Sequence, residues 1–257
     1  MFLVDYVAEI QRLTVALQEA FERLKNNADD EALHEYRVIV RRIRSIIAPL
    51  RKLPENQALR GAAKAVGQLT TPARDLEVLI GELADRGYPE LAKSRSGLLQ
   101  DDLRVIAEAA EVQNLFAELE RWPVEFAQSV LGGDSRRLKK IINKAFKKHI
   151  NRLQAGVNAP DFDRHQLRIL VKRMRYINDA FPTLSPLSED AINALKKAQS
   201  ALGDWHDHYQ WGLAGLQAPD LAPLLEVWAE SEKKQLAKAE KALKKLAAAL
   251  PQEDAKS

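Results

Sequence analysis

The stretch His34 to Arg44, HEYRVIVRRIR, returns 131 positions later as His165 to Arg175, HQLRILVKRMR. Five of the eleven positions are identical, and the others keep their character except Glu35 against Gln166. At 100° per residue, His34, Arg37, Arg41 and Arg44 fall within about an 80° arc of a helix, and His165, Arg168, Lys172 and Arg175 do the same. Each copy therefore predicts one helix with a cationic stripe that opens on a histidine. Ile39, Val40, Ile43, Ile46 and Ile47 supply the opposite apolar face of the first copy, and Leu170, Val171, Met174 and Ile177 that of the second. Arg42 and Arg173 sit at the flank of the stripes. A solvated face usually mixes both signs of charge, whereas these stripes lack Asp and Glu, so they repel themselves unless an anion fills them.

Working outward, the first copy lies in a run of helical patterns. Val7, Ile10, Leu13, Leu17, Phe21 and Leu24 predict a helix over Leu3 to Lys25, ended by Asn26 to Asp29. The striped helix is expected from about Asp30, as its cap, to Leu50, before Pro54. A third runs from Asn56 to Leu69, is interrupted by Thr70, Thr71 and Pro72, and resumes from Ala73 to Arg86 with Arg74 and Asp75 on its first turn. Pro89 opens a long helix reaching the region of Ala110. Val112 to Arg121 makes a further one, which Pro123 is expected to break.

Gly132, Gly133 and Asp134 are the clearest punctuation, and the order of elements restarts there. Arg136 to Gln154 answers the first helix, and Phe162 to Phe181 carries the second stripe. Ser188 to Leu202, followed by Gly203, Asp204 and Trp205, answers the broken third. Asp207 follows His165 by 42 residues, as Asp75 follows His34 by 41. Leu221 to Leu250 reads as a long last helix, ended by Pro251, whose outer lysines, Lys233 to Lys245, read as a solvated face. No run alternates with period two, so the expected fold is all-α: two pseudo-symmetric antiparallel helical bundles, an internal duplication, around a basic groove or pore. The expected halves are 1–131 and 134–250, with 251–257 a frayed tail.

Composition narrows the function. The 257 residues include 46% apolar types, enough for a sizeable core, and no cysteine, so disulfides, thiolate nucleophiles and cysteine metal sites are excluded. The N-terminal segment lacks the basic start of a secretory signal, and no apolar stretch reaches the roughly 20 residues of a membrane span. These features fit a cytoplasmic protein. Although the net charge is only +3, Asp134 to Arg175 holds thirteen Lys or Arg against three Asp, a local excess of ten positive charges. The partner is expected to be anionic.

The paired H-x-x-R-V/I-x-x-R/K-R-x-R segments, with Tyr176 extending the second, resemble the CHAD domain family. Arg74-Asp75 after the first segment, and Leu202-Gly203 with Asp207 after the second, match that family's secondary signals, and the resemblance covers nearly the whole chain as one domain. It implies paired helical bundles around a basic channel that binds inorganic polyphosphate, and association with polyphosphate granules in bacteria or archaea. Some members are fused to a triphosphate tunnel domain. This chain has no strand-borne E-x-E-x-K signature, so it resembles a stand-alone member.

The chemistry agrees. Polyphosphate is a flexible chain with about one negative charge per phosphate and no bases, and the forks of Arg37, Arg41, Arg44, Arg168 and Arg175 suit its oxygens while Lys172 acts as a point charge. His34 and His165 would be held cationic beside a polyanion; their alternative role is a hydrogen bond to backbone at the helix start. Arg137, Lys140, Lys144, Lys147 and Lys148 form a third stripe on one arc, whereas His149 points among Ile142, Phe146 and Leu153. Arg74, expected mainly in a salt bridge, and Lys64 and Lys197 are secondary candidates. The cluster DWHDH, residues 204–208, holds His206 and His208, which point about 200° apart on a helix and so cannot chelate one ion. No metal or other cofactor is expected. Paired catalytic carboxylates, a nucleophile elbow and a Gly-rich phosphate loop are missing, which argues against catalysis. Nucleic acid is the rival ligand, although the stripes lack interleaved aromatics, and an acidic protein docking on the basic surface is a third reading.

Overall fold

The computed structural model describes residues 2–26 and 29–251. Among these residues ten helices follow one another: α1 (Phe2–Lys25), α2 (Ala32–Ile47), α3 (Glu55–Leu69), α4 (Thr71–Asp85), α5 (Pro89–Glu108), α6 (Ala110–Gln128), α7 (Ser135–Asn158), α8 (Arg164–Ala180), α9 (Glu189–Gln217) and α10 (Leu225–Ala249). Short 3-10 turns lie at Ala48–Leu50, Pro182–Leu184 and Pro219–Leu224, and no strand occurs among the described residues. Two compact units divide between Ile142 and Asn143, inside α7.

In the first unit α1 packs along α2, α3 along α6 and α4 along α5, with α2 also against α3. The apolar stripe of α2 is buried as its spacing predicts, Ile39, Val40, Ile43, Ile46 and Ile47 all lying in the core. Trp122 and Phe126 stack at 4.7 Å, and Tyr6 closes on both rings. Each such buried aromatic contributes on the order of 1.5–3 kcal/mol by leaving water. The buried Asn56 amide is satisfied, since it accepts from Trp122 Nε1 at 2.7 Å and donates to the Leu50 carbonyl.

The second unit is built on the α9–α10 hairpin, which carries α8 against α9. At Gly215 a methyl group would lie 2.7 Å from Leu225 Cδ2, so a larger residue there would make Leu225 shift. Trp211 and Trp228 fill the space beside it. The start of α8 is pinned by Arg164, which pairs with Glu240 and donates to the Phe162 carbonyl.

Four sequence expectations change. α2 begins at Ala32 with Glu31 as its N-cap, which makes no side-chain cap bond; Asp30 is not the cap. The acid that shapes this junction is Asp29, which accepts from the Glu31 amide at 3.0 Å and pairs with Arg23. α6 runs through Pro123 rather than stopping before it. The missing hydrogen bond is tolerated because Trp122 and Phe126, on either side of the proline, are both buried in the same core. α9 likewise continues through Gly203, where the cost of about 1 kcal/mol for a helical glycine is offset by burial of Leu202 and Trp205. The last helix begins at Leu225, after the 3-10 turn, and not at Leu221. Residues 27–28 of the first connection and 252–257 of the expected tail lie outside the described residues.

Candidate functional site

Each stripe lies where its helix meets a neighbour, and each meets it differently. In the first unit His34, Arg37 and Arg41 are half-buried, and Arg44 is exposed. Arg37 turns toward the α3–α4 junction. Its Nη1 donates to the Gly67 carbonyl at 3.3 Å and to Thr70 Oγ1, and its Nη2 donates to Thr71 Oγ1 at 3.2 Å. The carbonyls of a helix's last turn lack intrahelical partners, and here the hydroxyls help: Thr71 Oγ1 also donates to the Gly67 carbonyl at 2.7 Å and Thr70 Oγ1 to the Val66 carbonyl at 2.9 Å. Gly67 also admits Arg44, whose Nη1 would lie 2.7 Å from a methyl group there.

The charges around these groups are mixed. Arg74, at the start of α4, pairs with Glu77, and Arg74, Arg41 and Arg37 all act on His34 together with Glu31. Burial first, then Arg74 and Arg41, hold the His34 imidazole below its ordinary pKa. Burial and the neighbouring Arg41 push Arg37 down to about 10, which leaves it cationic at neutral pH. Burial raises the Glu77 carboxyl in spite of its hydrogen bond from Arg74. In the chain as it stands, His34 is thus biased toward the neutral form. The cationic form expected beside a polyanion requires the polyanion.

In the second unit His165, Arg168, Lys172 and Arg175 are all half-buried. His165 does not sit in an arginine-lined notch; it is surrounded by rings of α9, with Trp205 at 4.6 Å, Tyr209 at 4.7 Å and His206 at 5.4 Å between centroids. The charges acting on His206 come from Arg168, His165 and Lys172, so the stripe and His206 form one cluster. Burial first, then these cations, push His206 down to about 4. Arg175 pairs at 3.2 Å with Asp179 on its own helix.

The remaining candidates are exposed. Arg42 faces α1, where it pairs with Glu9 at 3.2 Å, and Arg173 is exposed. Arg137, Lys140, Lys144, Lys147 and Lys148 are all exposed along α7, while His149 is half-buried. Lys64 on α3 and Lys197 on α9 are exposed. The six lysines of α10, Lys233, Lys234, Lys238, Lys241, Lys244 and Lys245, are exposed as well. The two histidines of DWHDH part company: His208 Nδ1 lies 2.7 Å from the Asp204 carbonyl and its ring packs on Trp211, whereas His206 faces α8. Among the described residues no three His, Cys, Asp or Glu converge as a metal site would require.

Sequence reasoning passed over Thr70, Gly67, His206, Trp205 and Tyr209. For His206 a signal was present, because the offset that aligns Asp75 with Asp207 also aligns Arg74 with His206. Both of these residues meet the histidine of the facing stripe.

The CHAD domain profile matches residues 8–214. The chain belongs to the CHAD domain family. Its fold is similar to the crystal structure of the CHAD domain from the plant Ricinus communis, with a TM-score of 0.74 and 23% identity over 97% of this chain and 91% of that one. It is also similar to PptA from Streptomyces chartreusis, with a TM-score of 0.53 and 20% identity over 95% and 98% of the two chains. No curated protein matches it in sequence. The family match ends before α10, whereas the likeness to the Ricinus CHAD domain spans nearly the whole chain. No helix among the described residues is long and apolar enough to cross a membrane.

Proposed function

We propose that this CHAD domain binds inorganic polyphosphate without chemically altering it. The His34–Arg44 and His165–Arg175 segments would act as equivalent halves of a duplicated, pseudo-symmetric bundle that lines one basic groove or pore, with α7 adding its exposed cations. The observation that carries this reading is the gathering of cations beside each stripe's neighbours: Arg74, Arg41 and Arg37 act on His34, and Arg168 and Lys172 on His206, in both cases adding to burial in disfavouring the protonated form. A site of this kind gains most from an anion dense enough to touch several cations at once. Arginine forks match phosphate oxygens, and a chain of repeating phosphates supplies those contacts in series. Attachment to polyphosphate granules would follow from the same contacts.

The aromatic residues favour polyphosphate over nucleic acid. Trp205 is buried and donates to Glu232, and the ring of His165 lies against it, so it offers no open face for a base. The test is a titration of long-chain polyphosphate, RNA and single-stranded DNA against the purified protein at one fixed salt concentration, with pyrophosphate as the short-chain control. Polyphosphate is expected to bind most tightly and pyrophosphate much more weakly. RNA binding tighter than polyphosphate would overturn the reading.

A further inference from the structure

The two clusters differ at one aligned position, where the first has Arg74 and the second His206. In both units this residue lies on the neighbouring helix, against the stripe: Arg74 beside His34, and His206 beside His165, whose ring it meets at 5.4 Å and 76°. An arginine there is always cationic, but a histidine need not be. Charged and titratable groups stand near His206 or its chain neighbours on α8, α9 and α10. From α8 come His165, Arg168 and Lys172. On α9 itself Asp207 adjoins it in the chain and Tyr209 stacks on its ring at 6.5 Å. From α10 comes Glu232, which accepts from the adjacent Trp205 at 3.3 Å. The ring is half-buried, and its buried Nδ1 has no hydrogen-bond partner, whereas His208 two residues later has its Nδ1 satisfied by the Asp204 carbonyl.

We propose that His206 is an anion-binding residue of the second cluster that engages phosphate only as the imidazolium, so that this unit takes up a proton on binding. The inference rests on the polyphosphate reading above. Without ligand, the surroundings that push His206 down to about 4 leave it neutral at physiological pH, with one ring nitrogen carrying hydrogen and the other a lone pair. A phosphate entering among Arg168, Lys172 and His165 reverses the sign of the local field. The lone pair then accepts a proton from solvent, and both ring nitrogens become donors, one of them for a phosphate oxygen. Arg74 supplies the matching contact in the first unit without itself taking up a proton, which leaves proton uptake there to His34. His206 therefore adds to the proton uptake of the whole chain, whose affinity rises as the solution is acidified.

Calorimetry with long-chain polyphosphate, in two buffers of different ionisation enthalpy, measures the protons taken up. The wild type is expected to take up protons and to bind at least about fivefold more tightly at about pH 5.5 than at about pH 7.5. His206→Gln should lose a large share of both effects, His206→Arg should bind more tightly at the higher pH with a flatter profile, and His208→Gln should behave as wild type. Should the glutamine variant fold poorly, the imidazole proton signals of His206 in the wild type give the same answer: its pKa must rise on addition of polyphosphate. An unchanged pKa, or equal proton uptake in the wild type and His206→Gln, overturns the inference while leaving polyphosphate binding intact. Absence of polyphosphate binding by the wild type at every pH would instead overturn the functional reading on which it rests.

Discussion

The stripes of α2 and α8 are spelled almost alike, but the helices they meet are not. α2 faces a junction, where α3 stops and α4 starts at Thr70, and a junction leaves oxygens to be satisfied. Arg37 satisfies three of them. α8 faces α9, which runs unbroken past the equivalent place, so its carbonyls are occupied by its own ladder and rings stand where the junction would be. A repeated sequence motif therefore does not repeat its contacts when the partner element differs. One copy has an arginine committed to architecture and a fixed cation at Arg74. The other has an aromatic nest and a titratable group at His206.

The largest expected effect follows from this contrast. Arg37→Ala removes the donor shared by the Gly67 carbonyl and the hydroxyls of Thr70 and Thr71, and should destabilise the chain by about 1–3 kcal/mol in chemical denaturation, besides weakening polyphosphate binding. Arg37→Lys should recover binding better than stability, because an ammonium restores the charge but not the fork. Arg168→Ala is the matched probe: it removes no contact to a helix junction, because α9 runs unbroken there. An equal loss at both positions would break the comparison and mean that each half uses its arginine as a strut.

A difference in pH response should come next in size. His206 is held to about 4 in the folded chain against an ordinary value near 6.5, so folding favours its neutral form. The stability this gives is complete above about pH 6.5 and is lost as the pH falls from there through about 4, a loss on the order of 1–2 kcal/mol once partial exposure is allowed for. His34 adds to the decline with the same sign. Denaturation midpoints measured across that window should fall more steeply in the wild type than in His206→Gln, while Arg74→Gln, which removes no group titrating in this range but relieves His34 of one cation, should flatten the slope less than His206→Gln does. Parallel slopes in the wild type and His206→Gln would show that His206 does not carry the difference between the halves.

The parts of this contrast that depend on local spacing were readable from the amino-acid sequence. The stripes, the apolar faces of α2 and α8 and the number of helices all follow from a 3.6-residue period, and the family resemblance rests on the same residues. What escaped depends on contacts far along the chain. Pro123 is a helix breaker in isolation, and only the burial of Trp122 and Phe126 in a core shared with Tyr6 carries α6 past it. Gly203 is similar, with Trp205 and Leu202 holding α9 together. The use of Arg37 at the α3–α4 junction required knowing which helix lies opposite. His206 was hidden for a different reason: its neighbour His208 makes the pair look like a failed metal motif, and the sequence repeat is marked most plainly by Asp75 and Asp207, one residue further on.

The smallest effect on folding, and a clean one on binding, is expected at α7. Lys140 and Lys144 are exposed, so alanine at both should change stability by no more than about 0.5 kcal/mol. If they hold phosphates, each contact they make releases condensed counterions, and the slope of log affinity against log salt should flatten by roughly 0.7 per lost contact, taking single-stranded nucleic acid as the guide. The two clusters offer half-buried cations in fixed positions, and a variant there, such as Arg41→Ala, should lower affinity at every salt concentration as well as flattening the slope. The α7 face offers solvent-exposed charge, so its double variant should lose affinity mainly at low salt and converge on the wild type as salt rises. A salt slope that stays at the wild-type value in Lys140→Ala/Lys144→Ala would make the α7 face a solvated surface and leave phosphate recognition to the α2 and α8 segments and the residues that face them.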